Sequence, residues 1–416
     1  MIKKIIISFC LLFSLVSFAQ EGTSSPYSFY GIGDVKFKGT VESRSMGGIS
    51  VFPDSIHINL QNPAHLASLK LTTLSAGATY SNTNFKTETQ EGKARRSTLD
   101  YLAVGLPTGK WGIGFGLIPY SSVGYKIQKI ADENSPITRR YNGIGGINKL
   151  FFGLGYKLTK NFNIGADIQY NFGTIETKSL RFVDDVQFGT REKNLSDIQG
   201  VSFTTGVTYQ TKITSKLSYF GSASYSPESN LKLENSRKIA TVQFFSQGGE
   251  FVVDEEDIEV ANTTLKLPSK VTFGSGFGEV KKWLIGAEVS FQSTSNLGNR
   301  FNDIDNVKFE NATRYSLGGY FIPNYNSYSS YFKKVTYRGG LRYENTGLII
   351  ENKSIEDFAV NLGLGLPLGG TFSKVNVGLE IGKRGTKYAN LVEENYVNLS
   401  IGLSLNDRWF VKRKYD

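Results

Sequence analysis

Along most of the chain, apolar and polar residues alternate one for one. Between 162 and 172 one set of positions reads Phe162, Ile164, Ala166, Ile168, Tyr170 and Phe172, and the other reads Asn163, Gly165, Asp167, Gln169 and Asn171. Near the C-terminus Val397, Leu399, Ile401, Leu403 and Leu405 alternate with Asn398, Ser400, Gly402 and Ser404. A period of two marks a strand. One face suits lipid and the other suits water, which is the pattern of a membrane β-barrel wall. Similar segments begin near 70, 98, 111, 148, 199, 215, 264, 282, 311, 334, 356 and 373. With the two above they make about fourteen strands, an even number as expected for a bacterial single-chain barrel.

The connections fall into two classes. Short ones lie at 107–110, 159–160, 212–215, 279–282 and 367–370; between them fall long ones at 83–97, 129–147, 179–198, 233–263, 297–310, 347–355 and 384–394. A soluble sandwich explains alternation but not two alternating classes of connection, whereas outer-membrane barrels have short periplasmic turns and longer extracellular loops. The fold class read from the pattern is therefore all-β, a transmembrane antiparallel β-barrel spanning 70–416. Past the N-terminus no stretch approaches the ~18 consecutive apolar residues of a membrane helix.

Lys3 and Lys4 precede an apolar run at 5–18, and Ser17 and Ala19 fit the small-residue positions of a cleavage site, so 1–19 reads as a secretory signal peptide. Cys10, the only cysteine, leaves with it, which removes disulfide and thiol chemistry. The destination is the cell outer membrane.

Composition sharpens this picture. There are 45 Gly, 29 Phe and 22 Tyr, and 47 Lys+Arg against 37 Asp+Glu give a net charge of +10. The three tryptophans, Trp111, Trp283 and Trp409, lie near short turns or the end of the last strand, where indole rings form a periplasmic girdle at headgroup level. Lysines such as Lys110, Lys160, Lys212, Lys281 and Lys374 gather at the same rim, and membrane lipids with anionic headgroups are the partner they imply. No compact basic domain interleaved with stacking aromatics is present, which argues against nucleic acid.

Residues 20–69 do not fit a wall. Short aromatic and apolar pieces are broken by Gly31, Gly33, Gly39, Gly47 and Gly48, and the stretch ends in Asn62, Pro63, Ala64, His65 and Leu66, where Asn62 suits an N-cap and Pro63 a first helical position. This predicts a plug with a short helix inside the lumen; a free periplasmic arm would leave its aromatics uncovered.

The run SMGGISVFPDSIHINLQNPAHLASL (45–69) resembles the N-terminal hatch signature of the FadL-like outer-membrane transport proteins, in which a GG pair is followed by an Asn-Pro-Ala helix. The resemblance implies a fourteen-stranded barrel, gating by the hatch at Gly47, Gly48, Asn62, Pro63, Ala64 and Leu66, and passive uptake of hydrophobic small molecules such as long-chain fatty acids. It also implies a lateral opening in the third strand, which here carries Pro119. Proline lacks a ladder donor and belongs at edges or bulges, so Pro119 marks either that opening or a bend near the outer rim. The same architecture is similar to non-transporting accessory barrels, including one in type IX secretion, for which a protein partner in an outer-membrane complex is expected.

Candidate chemistry is sparse. Inward-facing Asp167, Glu288, Arg338, Arg342, Glu344 and Glu380 are expected to pair with one another. The carboxylates at 254–259 lack the EF-hand glycine and terminal glutamate and read as a solvated acidic loop. His57 and His65, the only histidines, both fall in the plug; Asp54, Ser55 and His57 form a local cluster without an evident oxyanion donor. No catalytic residue, metal site or cofactor is expected.

Overall fold

The computed structural model describes residues 22–131, 136–183, 186–245, 249–297, 306–369 and 371–409, so the signal segment 1–19 lies outside the described residues. Fourteen strands form the wall: β1 Thr72–Lys86, β2 Glu91–Thr108, β3 Trp111–Lys129, β4 Ile137–Lys157, β5 Phe162–Val183, β6 Phe188–Lys212, β7 Ser218–Ser226, β8 Lys270–Glu279, β9 Trp283–Gln292, β10 Ala312–Phe321, β11 Thr336–Ile350, β12 Lys353–Pro367, β13 Lys374–Arg384 and β14 Glu393–Asp407. Each pairs antiparallel with the next, and β14 pairs with β1 from Glu393 opposite Lys86 to Asp407 opposite Thr72, which closes the sheet. Among the described residues no helix is long and apolar enough to cross a membrane.

Burial runs opposite to that of a soluble protein. On β5 the exposed side chains are Ile168 (45 %), Tyr170 (44 %) and Phe172 (36 %), while Gln169 (2 %) and Asn171 (0 %) are enclosed. Apolar exposure repeated around the sheet needs lipid outside it, and the alternation is the covalent consequence of a pleated strand between two solvents.

The strands are longer than their apolar bands. β5 runs for 22 residues and β6 for 25. Much of 129–147, 179–198 and 233–263, expected as loops, is hydrogen-bonded strand. β6 pairs with β7 through 205–212 and, further out, with the strand Ser229–Phe244 through 188–199. Ser229–Phe244 in turn carries Glu250–Ile258 and Thr263–Leu267 on its far side, building a sheet blade that projects from the barrel. Beyond the bilayer no lipid selects one apolar face, so the period of two fades while the ladder continues.

Turns at 109–110, 158–161, 213–217 and 280–282 sit together at one end with both chain ends of the wall, as the spacing predicted. At the other end Ile32, Val123, Tyr125, Ile147, Ile175, Ile198, Leu231, Leu233, Leu265 and Leu267 form a buried apolar cluster.

Candidate gate in the barrel wall

The residues ahead of β1 adopt four short pieces: 3-10 turns at Pro26–Phe29 and Pro63–Ser68, a two-residue strand Asp34–Val35, and one α-helical turn, α1, Val41–Arg44. The helix predicted after Asn62 is thus a 3-10 helix. Its cap is as the sequence suggested: Asn62 Oδ1 accepts from the Ala64 N–H at 3.0 Å. The same side chain donates from Nδ2 to the carbonyls of Val207 (3.2 Å) and Ala223 (3.1 Å) on β6 and β7, tying cap to wall. Pro63, Ala64 and Leu66 are buried. Leu66 lies against Gly112 and Ala64 against Gly165, where a Cβ would have no room.

Gly47 and Gly48 have φ of +70° and +88° and reverse the chain after α1, with the Gly48 N–H donating to the Ser43 carbonyl at 2.9 Å. A side chain at Gly47 would also meet the carbonyls of Leu317 and Leu341 on β10 and β11. Both left-handed geometry and close approach require glycine there.

The wall itself is interrupted between β2 and β3. These strands share seven residue pairs, from Thr108 opposite Trp111 to Leu102 opposite Leu117, against twenty-one between β4 and β5. Above Leu117, β4 is the only wall strand that β3 stays paired with. Pro119 is opposite Asn148 and Ser121 opposite Ile147, so Tyr120 is the extra residue of a β-bulge. Past the bulge all of 121–125 is buried, so here β3 is covered on both faces while it stays paired with β4. The freed edge is partly taken by the N-terminal segment. Asp34 lies opposite Ser122 and Val35 opposite Ser121, and the Lys36 N–H donates to the Tyr120 carbonyl at 2.8 Å. Arg384 (2.7 Å) and Lys36 (3.2 Å) hold the Asp34 carboxylate. Burial alone would raise the pKa of Asp34, but these two cations outweigh it and keep the group below the usual carboxylate range.

Two cavities flank α1. One, of about 180 Å³, lies behind the gap and is lined by Thr79, Asp100, Arg342, Arg384 and Glu394. The other, of about 150 Å³, is lined by Asp54, His57, Tyr320, Arg338 and Lys374. Arg44 faces the first cavity and Glu42 the second. Arg44 Nη1 donates to Asp100 (3.1 Å), Thr79 (2.6 Å) and Ser400 (3.1 Å). Glu42 accepts from Asn376 Nδ2 at 2.7 Å, and its carboxylate lies 3.5 Å from His57 Nε2. α1 is therefore pinned from both sides.

Of the inward charges, Arg342, Glu344 and Glu380 pair with one another as expected, Asp167 and Glu288 pair with other residues, and Arg338 makes no ion pair among the described residues. Arg342 meets Glu380 (3.0 Å), Asp357 (3.3 Å) and Glu344 (3.7 Å). Glu288 meets Arg314 at 3.7 Å and accepts from the N–H and hydroxyl of Ser50 at 2.8 and 2.7 Å. Asp167 lies 3.9 Å from Lys38, and Arg338 donates to Asn376 at 2.9 Å. Lys374, read as a rim lysine, is buried. Trp111 opens β3, Trp283 opens β9 and Trp409 lies two residues beyond β14, all at the short-turn end. His57 Nδ1 is 2.7 Å from Asp54 and its Nε2 faces Glu42, so the ring sits between two carboxylates. Among the described residues no group of three or more His, Cys, Asp or Glu side chains is placed to hold a metal ion.

Arg44, Asp100, Asp34 and Glu42 were not singled out from the sequence. Asp100 is the bulged residue between the pairs Leu99–Ala78 and Tyr101–Gly77, and it shares the less exposed face with Thr98, whose hydroxyl donates to it at 3.1 Å.

A closed fourteen-stranded antiparallel sheet with an apolar exterior and a polar interior places the chain among outer-membrane FadL-like barrels. Known structures agree in fold: the toluene transporter TbuX of Ralstonia pickettii (TM-score 0.61, 14 % identity, covering 90 % of this chain and 100 % of that one), the toluene transporter TodX of Pseudomonas putida (0.61, 16 %, 91 % and 100 %), and a FadL homologue of Pseudomonas aeruginosa (0.58, 12 %, 90 % and 98 %). Residues 1–416 match the BamG family model, and the chain belongs to that family. No curated protein sequence matches it.

Proposed function

We propose that this outer-membrane barrel takes up hydrophobic small molecules passively, of the long-chain fatty-acid type, through a hatch-gated lumen with lateral exit. The observation that carries the reading is the unpaired stretch of wall between β2 and β3 above Leu102 and Leu117. In this reading residues 1–19 direct export and are removed, 20–69 form the hatch, and 70–416 form the wall. Ligand enters from the extracellular side. Movement of α1 and of the Asn62–Leu66 contacts, with Gly47 and Gly48 as the turning point, then admits it to the gap beside Pro119. The polar cavity behind the gap favours amphiphiles, whose head can stay among charged side chains while the tail leaves toward lipid. Trp111, Trp283 and Trp409 anchor the periplasmic rim. The route needs neither cofactor nor catalysis.

Uptake of a fluorescent long-chain fatty acid into cells carrying or lacking the protein tests this, alongside mass spectrometry of what copurifies in mild detergent. Protein-dependent uptake with copurified amphiphile is expected. Uptake independent of the protein, with a stoichiometric protein partner and no bound lipid, would replace it with the accessory-barrel reading.

A further inference from the structure

The blade outside the membrane ends in an open strand. Glu250–Ile258 pairs on one side with Ser229–Phe244, and among the described residues no ladder covers its other side. An uncovered edge is a ready template for another strand unless it is blunted by charge, proline, a bulge or a short length. This one has nine residues and neither lysine nor proline; it carries one bulge, at Val253 between Val252 and Asp254, and its remaining guard is acidic charge, which a basic strand neutralises.

Apolar side chains are exposed along it. Phe251 is 57 % exposed and Val253 50 %, beside exposed Val186, Phe188 and Phe245. Lipid does not cover them. The lipid-facing run of β5 ends at Phe172, and the blade tip near Val183 lies roughly 35 Å further along the strand at about 3.3 Å per residue.

Charge selects the occupant. Residues 250–259 hold Glu250, Asp254, Glu255, Glu256, Asp257 and Glu259 and no base. Glu250 pairs with Lys178 and Arg191, Glu255 with Arg191 and Lys238, and Asp257 with Lys238. Asp254, Glu256 and Glu259 are exposed and have no ion-pair partner among the described residues. Antiparallel pairing with a second copy, centred on Asp254, would set that carboxylate against itself and Val253 against Glu255. Anionic lipopolysaccharide would be repelled in the same way.

We infer that Glu250–Ile258 is a docking edge for an extended segment of another extracellular protein, one that alternates apolar residues with Lys or Arg and adds to the blade as a further strand. Backbone pairing would supply the affinity and the three free carboxylates the selection. This is independent of the transport reading.

The test uses the full chain in detergent with an alternating Lys-Val octapeptide and a Glu-Val octapeptide as probes, read by fluorescence anisotropy. Saturable binding of the basic peptide alone is expected, weakened about tenfold by the double substitution Asp254→Lys and Glu256→Lys and by high salt. Heat-modifiable gel mobility confirms that the variant keeps its barrel. In cells, a photocrosslinker at Val253 should attach to an extended Lys- or Arg-bearing segment of a different surface protein. No binding of the basic peptide, equal binding of both, indifference to the double substitution, or crosslinks only between two copies of this chain would each overturn the proposal.

Discussion

Asp34 lies opposite Ser122 on the edge that β3 offers once β2 has let go of it, and Val35 lies opposite Ser121. A two-residue strand therefore covers part of the β3 edge that β2 leaves free, the edge along which the proposed lateral route would run. Its hold is modest. Two ladder positions, the Lys36 N–H bond to the Tyr120 carbonyl and the contacts of Asp34 with Arg384, Lys36 and Thr23 fix it, whereas neighbouring wall strands share many pairs.

Fixing that strand covalently should close the route. Val35→Cys with Ser121→Cys places two thiols across an antiparallel pair, where Cα separations of about 4.5–5.5 Å suit a disulfide. Cys10 precedes the proposed cleavage point, so no other thiol competes. Oxidation is expected to lower fatty-acid uptake about tenfold, as for a lid held shut, and a reductant to restore it. A disulfide that forms without slowing uptake rules out this gap as the exit.

The bulge can be tested from the other side. Pro119→Val supplies the donor that proline lacks and removes a reason for β3 to bulge there. Uptake should fall severalfold while folding, read by heat-modifiable mobility, is retained. Unchanged uptake would count against the lateral route.

How much of this could be read from the sequence follows the solvent on each side of the strand. The fourteen wall segments were legible because lipid outside and water inside force alternation, as at Ile168 to Phe172. The bulge was legible because only one residue type lacks an N–H. The blade was not, since β5 and β6 continue into water where neither face must be apolar. Asp34–Val35 was hidden because two residues carry no period, and Asp100 because its partner Arg44 lies 56 residues away in a segment that carries none either.

Asp100 matters through Arg44, 3.1 Å away, both side chains being largely buried. Removing one member leaves the other charge enclosed without its counterion, a cost of about 3 kcal/mol or more. Arg44→Met and Asp100→Asn should each lower the urea midpoint and increase leakage of small hydrophilic antibiotics, since Arg44 fastens α1 over the cavity. Their combination should cost less than the sum. Additive effects would show that the two residues act separately.

His65 gives the Pro63–Ser68 helix a pH dependence whose sign is fixed by burial. The ring is 2 % exposed. Burial therefore pushes its pKa down from 6.5 to about 4, an effect that the Ser50 backbone and the Asp54 charge offset only in part. A depressed base binds fewer protons docked than undocked, so its neutral form favours docking fully above about pH 6.5. That contribution fades as pH falls toward 4, by roughly 3 kcal/mol in total at about 1.4 kcal/mol per unit. Hydrogen exchange across Pro63–Ser68, corrected for intrinsic rates, should thus show earlier opening at pH 5 than at pH 7. His65→Leu, which cannot charge, should flatten the difference. An equal pH response in both proteins would place the titrating group elsewhere in the lumen.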